Sequence, residues 1–299
     1  MGSKGDGKTD HGPIVVGGVG GSGTRVVAEI LLSLGFFLGW DLNVERDNLF
    51  YTLLFKRPAW FYRNRHNEPE ITAGLRLFRR LMMGEGLPST AEWSFLLRAV
   101  VSMALRGHNH RGDGRGMWPF QRLGRLLARS DPTGRTAAGW GWKEPNSFLL
   151  LRQMAATLEG FRYVHVIRHG LDVAFSKNQQ QLYNWGPLFG VARPTDPAAE
   201  PSASLRYWIR ANEQALQEGK QLGDEGFLVV NFEELCLDTE AAVLRMVSFL
   251  GIEPTDEACQ RAGALVGKPA SIGRYRAHDL SQFERVDLLS LHKLGCTIE

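Results

Sequence analysis

The stretch "PIVVGGVGGSGTRVVAEILLSLGFF", beginning at Pro13, constrains this chain more than any other. A short apolar run (Ile14 to Val16) meets a glycine-rich turn, and a helix-period pattern follows. Strand, glycine loop and helix in that order belong to a parallel sheet with crossover helices. Bare backbone N–H groups and the positive end of the helix then face into the loop, which suits an anionic group. The loop that holds magnesium nucleotides reads G-x-x-x-x-G-K-[ST]. Here Gly18 and Gly23 take the glycine positions, Thr24 stands where the lysine belongs, and Arg25 stands where the magnesium-binding hydroxyl belongs. We read Gly20, Gly21, Ser22, Gly23, Thr24 and Arg25 as a phosphate or sulfate cradle of backbone donors, two hydroxyls and one guanidinium. The bland alternative, a flexible glycine turn, is weakened by its placement between a buried strand and a helix.

Three further stretches join an apolar run to an abrupt turn: "AGWGWKEP" from Ala138, "YVHVIRHG" from Tyr163 and "FLVVNFEEL" from Phe227. Helical patterns follow each strand: "TRVVAEILLSLGFF", "SFLLLRQMAATL", "GLDVAFSKNQQQL" and "DTEAAVLRMVSFLGI", the last with Asp238 placed to cap it. Near-continuous apolar strands alternating with helices predict a single α/β domain with a central parallel sheet flanked by helices. Ligands in such sheets bind at the carboxyl ends of the strands. Residues 13–299 are expected to form this domain, with insertions at about 57–135 and 183–204. The first carries the arginine- and glycine-rich run 106–135, the second is rich in proline and small residues, and both read as loops at the rim of the site. The polar first twelve residues read as a disordered tail without a signal-peptide core.

The chain has 299 residues, 43% hydrophobic and 22% charged, which allows a sizeable core. A net charge of only +3 gives no argument for nucleic acid. Three scattered cysteines (Cys236, Cys259, Cys296) offer neither a disulfide framework nor metal-ligand spacing. No apolar run has the length of a membrane span. A cytoplasmic protein without membrane or nucleic-acid partner is the expectation.

Three other constellations carry candidate chemistry. Arg168 ends a buried strand and can grip a phosphate bidentately; Ser176 is expected on the helix that follows it. Lys143 ends another strand and points where ligands bind, or else pairs with Glu144. Ser271, Gly273, Arg274 and Arg276 form a basic glycine-containing loop, which by itself reads more readily as a solvated surface loop.

Taken together, these motifs resemble the sulfotransferase superfamily. "GGSGTR" is similar to that family's loop for the 5′-phosphosulfate of the donor PAPS (3′-phosphoadenosine 5′-phosphosulfate). "RHGLDVAFS" is similar to its strand–helix signature for the 3′-phosphate, and "VVNFEELCLDTEAAVLRMVSFLGI" to its "Y-E-[DE]-L … FLG" segment. "SIGRYR" resembles its late basic loop over the nucleotide. "WKEPNSFLLLRQM" is similar to the tyrosylprotein and carbohydrate branches, where a K-x-P lysine faces the sulfate. The resemblance covers Ile14 to Tyr51 and Gly139 to about Arg276. It departs at Gly21, where a basic residue is usual, and at Arg25, where a hydroxyl is usual.

The resemblance implies sulfuryl transfer from PAPS to a hydroxyl or amine, leaving PAP (adenosine 3′,5′-bisphosphate), without metal. Arg25 would position the donor and Lys143 would stabilise the departing phosphate. Asp41 and Asp47 lead the candidates for general base, with Glu45 between them. His108 and His110 are alternatives in a stretch that reads as a mobile loop. A small molecule or saccharide is the expected acceptor, with Trp60, Phe61, Tyr62 and Trp93 as a possible wall or as plain core. Two rival readings are a degenerate protein that binds PAP or another anion without transfer, and a small-molecule kinase, against which Thr24 speaks.

Overall fold

The fold is described from a computed structural model, which covers residues 12–86, 88–128 and 138–298; most of the proposed tail lies outside the described residues. In chain order the elements are β1 (Ile14–Gly17), α1 (Thr24–Ser33), β2 (Phe36–Phe37), α2 (Leu49–Phe55), α3 (Pro58–Asn64), α4 (Glu68–Met82), α5 (Thr90–Arg106) and α6 (Trp118–Leu127). There follow β3 (Gly139–Lys143), α7 (Leu151–Thr157), β4 (Arg162–Ile167), α8 (Gly170–Ala174), α9 (Gln180–Trp185), α10 (Glu200–Gly219) and α11 (Gly223–Gly226). The chain then forms β5 (Phe227–Asn231), α12 (Phe232–Leu237), α13 (Thr239–Leu250), α14 (Asp256–Gly263) and α15 (Arg285–Lys293). The strands form one parallel sheet in the order β2-β3-β1-β4-β5.

Alternation along the central strands divides the core in two, as the period of a strand requires. Val15, Trp140, Trp142, Tyr163 and Ile167 join one cluster, with α2, α4, α5 and α10. Ile14, Val16, Val164, Val166 and Val230 join the other, with α1, α12 and α13. On the first face Trp142 stacks on Tyr51 at 5.6 Å and meets Phe78 edge-on at 4.9 Å. Each of these aromatic contacts adds roughly 0.5–1.5 kcal/mol beyond burial.

The four expected strands form, and a fifth is added. Phe36 and Phe37 belong to β2 and not to the first helix, because α1 stops at Ser33 and the chain turns at Gly35. The expected helix after Arg168 breaks after Ala174, so Ser176 lies in the turn before α9. The insertion that follows Arg57 is helical rather than a rim of loops. Its helices have starts written in local chemistry: the Asn67 side chain accepts from Glu70 N, and Ser89 with Glu92 completes a capping box. The second insertion holds α9 and short 3-10 turns before α10.

One buried polar residue marks the sheet's first face. His165 of β4 is fully buried, and its Nε2 donates to Asn212 Oδ1 at 2.9 Å, the Asn212 amide donating in turn to the Trp208 carbonyl. Burial pushes the imidazole down to about 4, against which the Asn212 bond works only in part. Stability tied to neutral His165 is therefore fully present above the ordinary histidine pKa of about 6.5 and lost as pH falls toward 4, at a cost of up to about 3 kcal/mol. His165→Gln should flatten the pH dependence of the urea midpoint in that window. An unchanged slope would assign the acid loss to other groups.

Candidate functional site

The loop after β1 is held from beneath. Gly18 N donates to the Pro145 carbonyl at 3.0 Å, and Ser22 N to the Val19 carbonyl at 3.1 Å. The Ser22 hydroxyl donates to the same carbonyl at 2.5 Å, so this fully buried side chain shapes the loop from inside. Gly20 lies against the Gln181 side chain of α9, while Gly21 is exposed with open space where a side chain would stand. Gly23 caps α1 in the left-handed region at φ 90°, and a Cβ there would lie 2.2 Å from the Phe232 ring. The N–H groups of Thr24 and Arg25 precede the helix's own ladder and carry its positive end. Thr24 is buried; Arg25 is half-exposed and reaches Glu45 at 3.4 Å.

Arg168 gathers three stretches of chain. Its guanidinium donates to the Gly21 carbonyl at 3.4 Å and to the Ser271 carbonyl and hydroxyl at 2.7 and 2.9 Å. Asp172, one helical turn on, lies 3.6 Å away, and the Phe232 ring centroid 5.4 Å away. Asp172 also accepts from Gly273 N at 2.8 Å and Tyr275 N at 3.2 Å, which seats the late basic loop. Arg274 is part of the same field. Burial lowers the Arg168 pKa, Asp172 opposes this, and Arg274's charge lowers it further. The two guanidiniums thus share this flank of the glycine loop with the carboxylates of Asp172 and Glu233. Ser176 is half-buried in its turn, where its hydroxyl accepts from Asn178 N at 3.3 Å.

On the other side of the loop stands a balanced set of charges. Lys143 is almost fully buried, with Nζ 2.5 Å from Asp47 Oδ1 and 2.8 Å from the Glu45 carbonyl. It does not pair with Glu144, which is fully buried and binds Lys56 Nζ at 2.9 Å together with the Asn146 amides. Burial works to lower Lys56, but Glu144 and then Asp47 outweigh it and raise its pKa. Asp41 is held by Arg122 at 3.1 Å and Arg125 at 2.6 Å. His108 is pushed down to about 4, by burial first and then by the Lys56 charge, with Asp113 and Asp47 pulling the other way. Its ring is therefore neutral near pH 7, and the same burial lowers its proton affinity.

A model of the sulfotransferase family matches residues 13–257. The chain belongs to the sulfotransferase family. Among solved structures it is similar to the sulfotransferase domain from the curacin biosynthetic pathway, with a TM-score of 0.51 and 13% identity over 96% of this chain and 99% of that one. It also matches the sulfotransferase domain of the Synechococcus PCC 7002 olefin synthase, with a TM-score of 0.48 and 16% identity over 96% of each chain. STF1 from Mycobacterium tuberculosis matches with a TM-score of 0.44 and 16% identity over 84% of this chain and 70% of that one. The search of curated proteins gives no match. These likenesses concern the fold, and the tyrosylprotein or carbohydrate branch is not among what they show.

In this sulfotransferase the structure brings Gly21, Arg168, Ser271, Gly273 and Arg274 together, and separately joins Lys143 to Asp47. Arg25 stands at the edge through Glu45, and Asp41 is occupied by arginines. Of the expected aromatic wall, Phe61 is core, Trp60 packs on Phe55 and Phe95, and the Tyr62 hydroxyl donates to the Asn184 carbonyl. Sequence reasoning missed Lys56, Asp172 and Phe232. Asp172 was visible as the acid four residues after Arg168; Lys56 had no signal beyond its place after "YTLLF". Gly23→Ala adds a side chain where both φ and Phe232 oppose it, and should cost about 1–3 kcal/mol. Urea titration of Gly23→Ala, Phe232→Ala and the pair checks this, and a pair that is simply additive would refute the contact.

Proposed function

We propose that this sulfotransferase moves a sulfuryl group from PAPS to a hydroxyl or amine of a small molecule or saccharide, without metal. The observation that carries the reading is the convergence of the glycine loop, Arg168 and the Ser271–Arg274 loop through the bonds given above, beside a buried lysine. The N-terminus of α1 and the loop amides would take the 5′-phosphosulfate. Arg168 and Arg274, with Ser271 and Gly273 beside them, would take the 3′-phosphate, and Ser176 lies one turn beyond α8. At the 3′-phosphate position Arg168 and Arg274 stand with Asp172 behind Arg168, and at the 5′ position the donors are the backbone N–H groups of the loop, with Arg25 at its edge. Among the described residues no group of histidines, cysteines and carboxylates could hold a metal ion.

In the transfer the acceptor oxygen or nitrogen bonds to sulfur, the bond from sulfur to the bridging phosphate oxygen breaks, and the acceptor's proton passes to a base. Lys143 would stabilise charge on that bridging oxygen, with Arg25 at the rim. Asp47 holds the Lys143 ammonium in the ligand-free protein and is one candidate base. Asp41 is occupied by two arginines, Arg122 at 3.1 Å and Arg125 at 2.6 Å. His108 is the base we favour, since its ring is neutral near pH 7 and the negative charge of a bound donor would offset the Lys56 field and raise its proton affinity. A binder that transfers nothing is the second reading, favoured by the neutralisation of Lys143 by Asp47 and by the absence of a basic side chain at Gly21.

Calorimetric titration with PAP, beside ATP with magnesium, tests the donor side. PAP binding without magnesium is expected; magnesium-dependent ATP binding alone would overturn the reading in favour of a kinase. Arg168→Ala should weaken PAP binding by roughly 1.5–3 kcal/mol, the worth of a charge-assisted hydrogen bond. Lys143→Ala should leave PAP affinity within about threefold and lower kcat by about 100- to 1,000-fold, the usual loss of an electrostatic stabiliser. Unchanged turnover in that variant would remove Lys143 from the mechanism.

A further inference from the structure

The run "GHNHRGDGRG" reads as mobile loop, yet in the fold it is tied at every turn. Asn109 is its centre, 95% buried by its 5% exposure. Asn109 Oδ1 accepts from Arg111 N and Asp113 N, both at 3.0 Å. Its amide donates to Asp113 Oδ2 at 2.7 Å and, outside the loop, to Gln180 Oε1 at 3.1 Å. His108 N donates to the Asp113 carbonyl at 2.8 Å, and His110 N to Asn184 Oδ1 at 2.8 Å. The His110 ring stacks on Tyr183 at 4.8 Å. The His108 ring lies over Gly114, where a Cβ would come within 2.6 Å of it, and its centroid is 5.7 Å from that of Trp118.

Gln180, Tyr183 and Asn184 all belong to α9, and Gln181 of the same helix covers Gly20 of the phosphate loop. One short helix thus touches the donor loop on one side and carries the histidine loop on the other. We propose that Asn109 is a positioning residue: it closes the 107–116 loop upon itself and hangs it on α9 through Gln180, so that the His108 imidazole is held at the transfer site in register with the phosphate loop. The inference rests on His108 as the proton acceptor of the proposed transfer. The charged groups that bear on His108 are Lys56 after α2, Asp47 before α2 and Asp113 on its own loop. Freed from the clamp, the ring would leave the half-buried position, within the field of Lys56, that holds its pKa down.

The test uses two variants of the full chain. Asn109→Ala removes the side-chain bonds to Arg111, Asp113 and Gln180, and Gln180→Ala removes the Asn109 tie to α9 while the His110–Asn184 bond and the loop's internal bonds remain. The first readout is the His108 ring titration by NMR, assigned with His108→Gln. In the wild type the ring should stay neutral well below pH 6, and in both variants it should titrate closer to the ordinary histidine value of about 6.5. The second is transfer from PAPS, where kcat should fall at least tenfold with PAP affinity unchanged, and the acid limb of the pH–rate profile should move up with the titration. Added imidazole should restore turnover partly in Asn109→Ala. A His108 titration identical in wild type and both variants would overturn the clamp whatever the activity. A normal shift in titration with an unaltered pH–rate profile would overturn its positioning role in catalysis. Should the wild type transfer nothing from PAPS, the proposed reaction fails, while the titration still decides whether Asn109 holds His108.

Discussion

A single guanidinium, that of Arg168, joins parts of the chain that are otherwise far apart in sequence. It bonds the loop at Gly21, the loop at Ser271 and, through Asp172, the backbone of Gly273 and Tyr275. Arginine suits the task because its planar fork offers several donors in fixed directions and stays charged when partly buried. A lysine could satisfy one of these partners but not all. The cost of burying the charge is met by Asp172 and by the face of Phe232. Removing this one side chain would cut the direct link between the glycine loop and the Ser271 loop, while Asp172 would still hold Gly273 and Tyr275.

The buried charges on the other flank are less easily explained by stability. Lys143 with Asp47 and Lys56 with Glu144 are pairs taken largely out of water. Desolvation of such pairs often cancels their attraction, and apolar replacements of equal volume are commonly neutral or better. What the pairs do provide is two ammonium groups fixed at the carboxyl end of β3, beside a histidine held neutral. Such an arrangement makes sense where negative charge arrives with a ligand. The anion would then meet cations whose positions are already set, without reorganisation at the moment of transfer.

Much of this was legible in the chain. The apolar runs at Ile14, Gly139, Tyr163 and Phe227 announce strands because parallel strands are buried on both faces, and such strands cannot be polar. Three of the four motifs were legible because each combines a strand end with glycine or a basic residue; the Ser271–Arg276 loop was legible only by its glycine and arginines. Two kinds of feature escaped. β2 is a two-residue strand next to a helix of similar apolar composition, and only the turn at Gly35 separates them. The arrangement around Asn109 escaped because its partners, Gln180 and Asn184, lie about seventy residues away. A polar, glycine-rich run reads as mobile until the tertiary partners of its backbone are known, since local composition reports only the cost of ordering it.

The strand order accounts for how the charges are divided. With β1 at the centre of β2-β3-β1-β4-β5, its loop has β3 on one side and β4 on the other. Lys143 ends β3 and Arg168 follows β4, so two cations flank the same glycine loop from opposite directions. The loop itself needs no lysine to attract an anion, because its backbone donors and the start of α1 already carry partial positive charge. Thr24 and Arg25 can therefore depart from the magnesium-nucleotide pattern without emptying the site of charge. In the proposed transfer the fold would separate two demands that a single loop lysine would otherwise combine: holding the nucleotide would fall to the β4 side, and stabilising the transferred group to the β3 side. Because these flanks lie on different strands, the proposed reaction would let a change of acceptor be built on the β3 side while the nucleotide grip is left as it is.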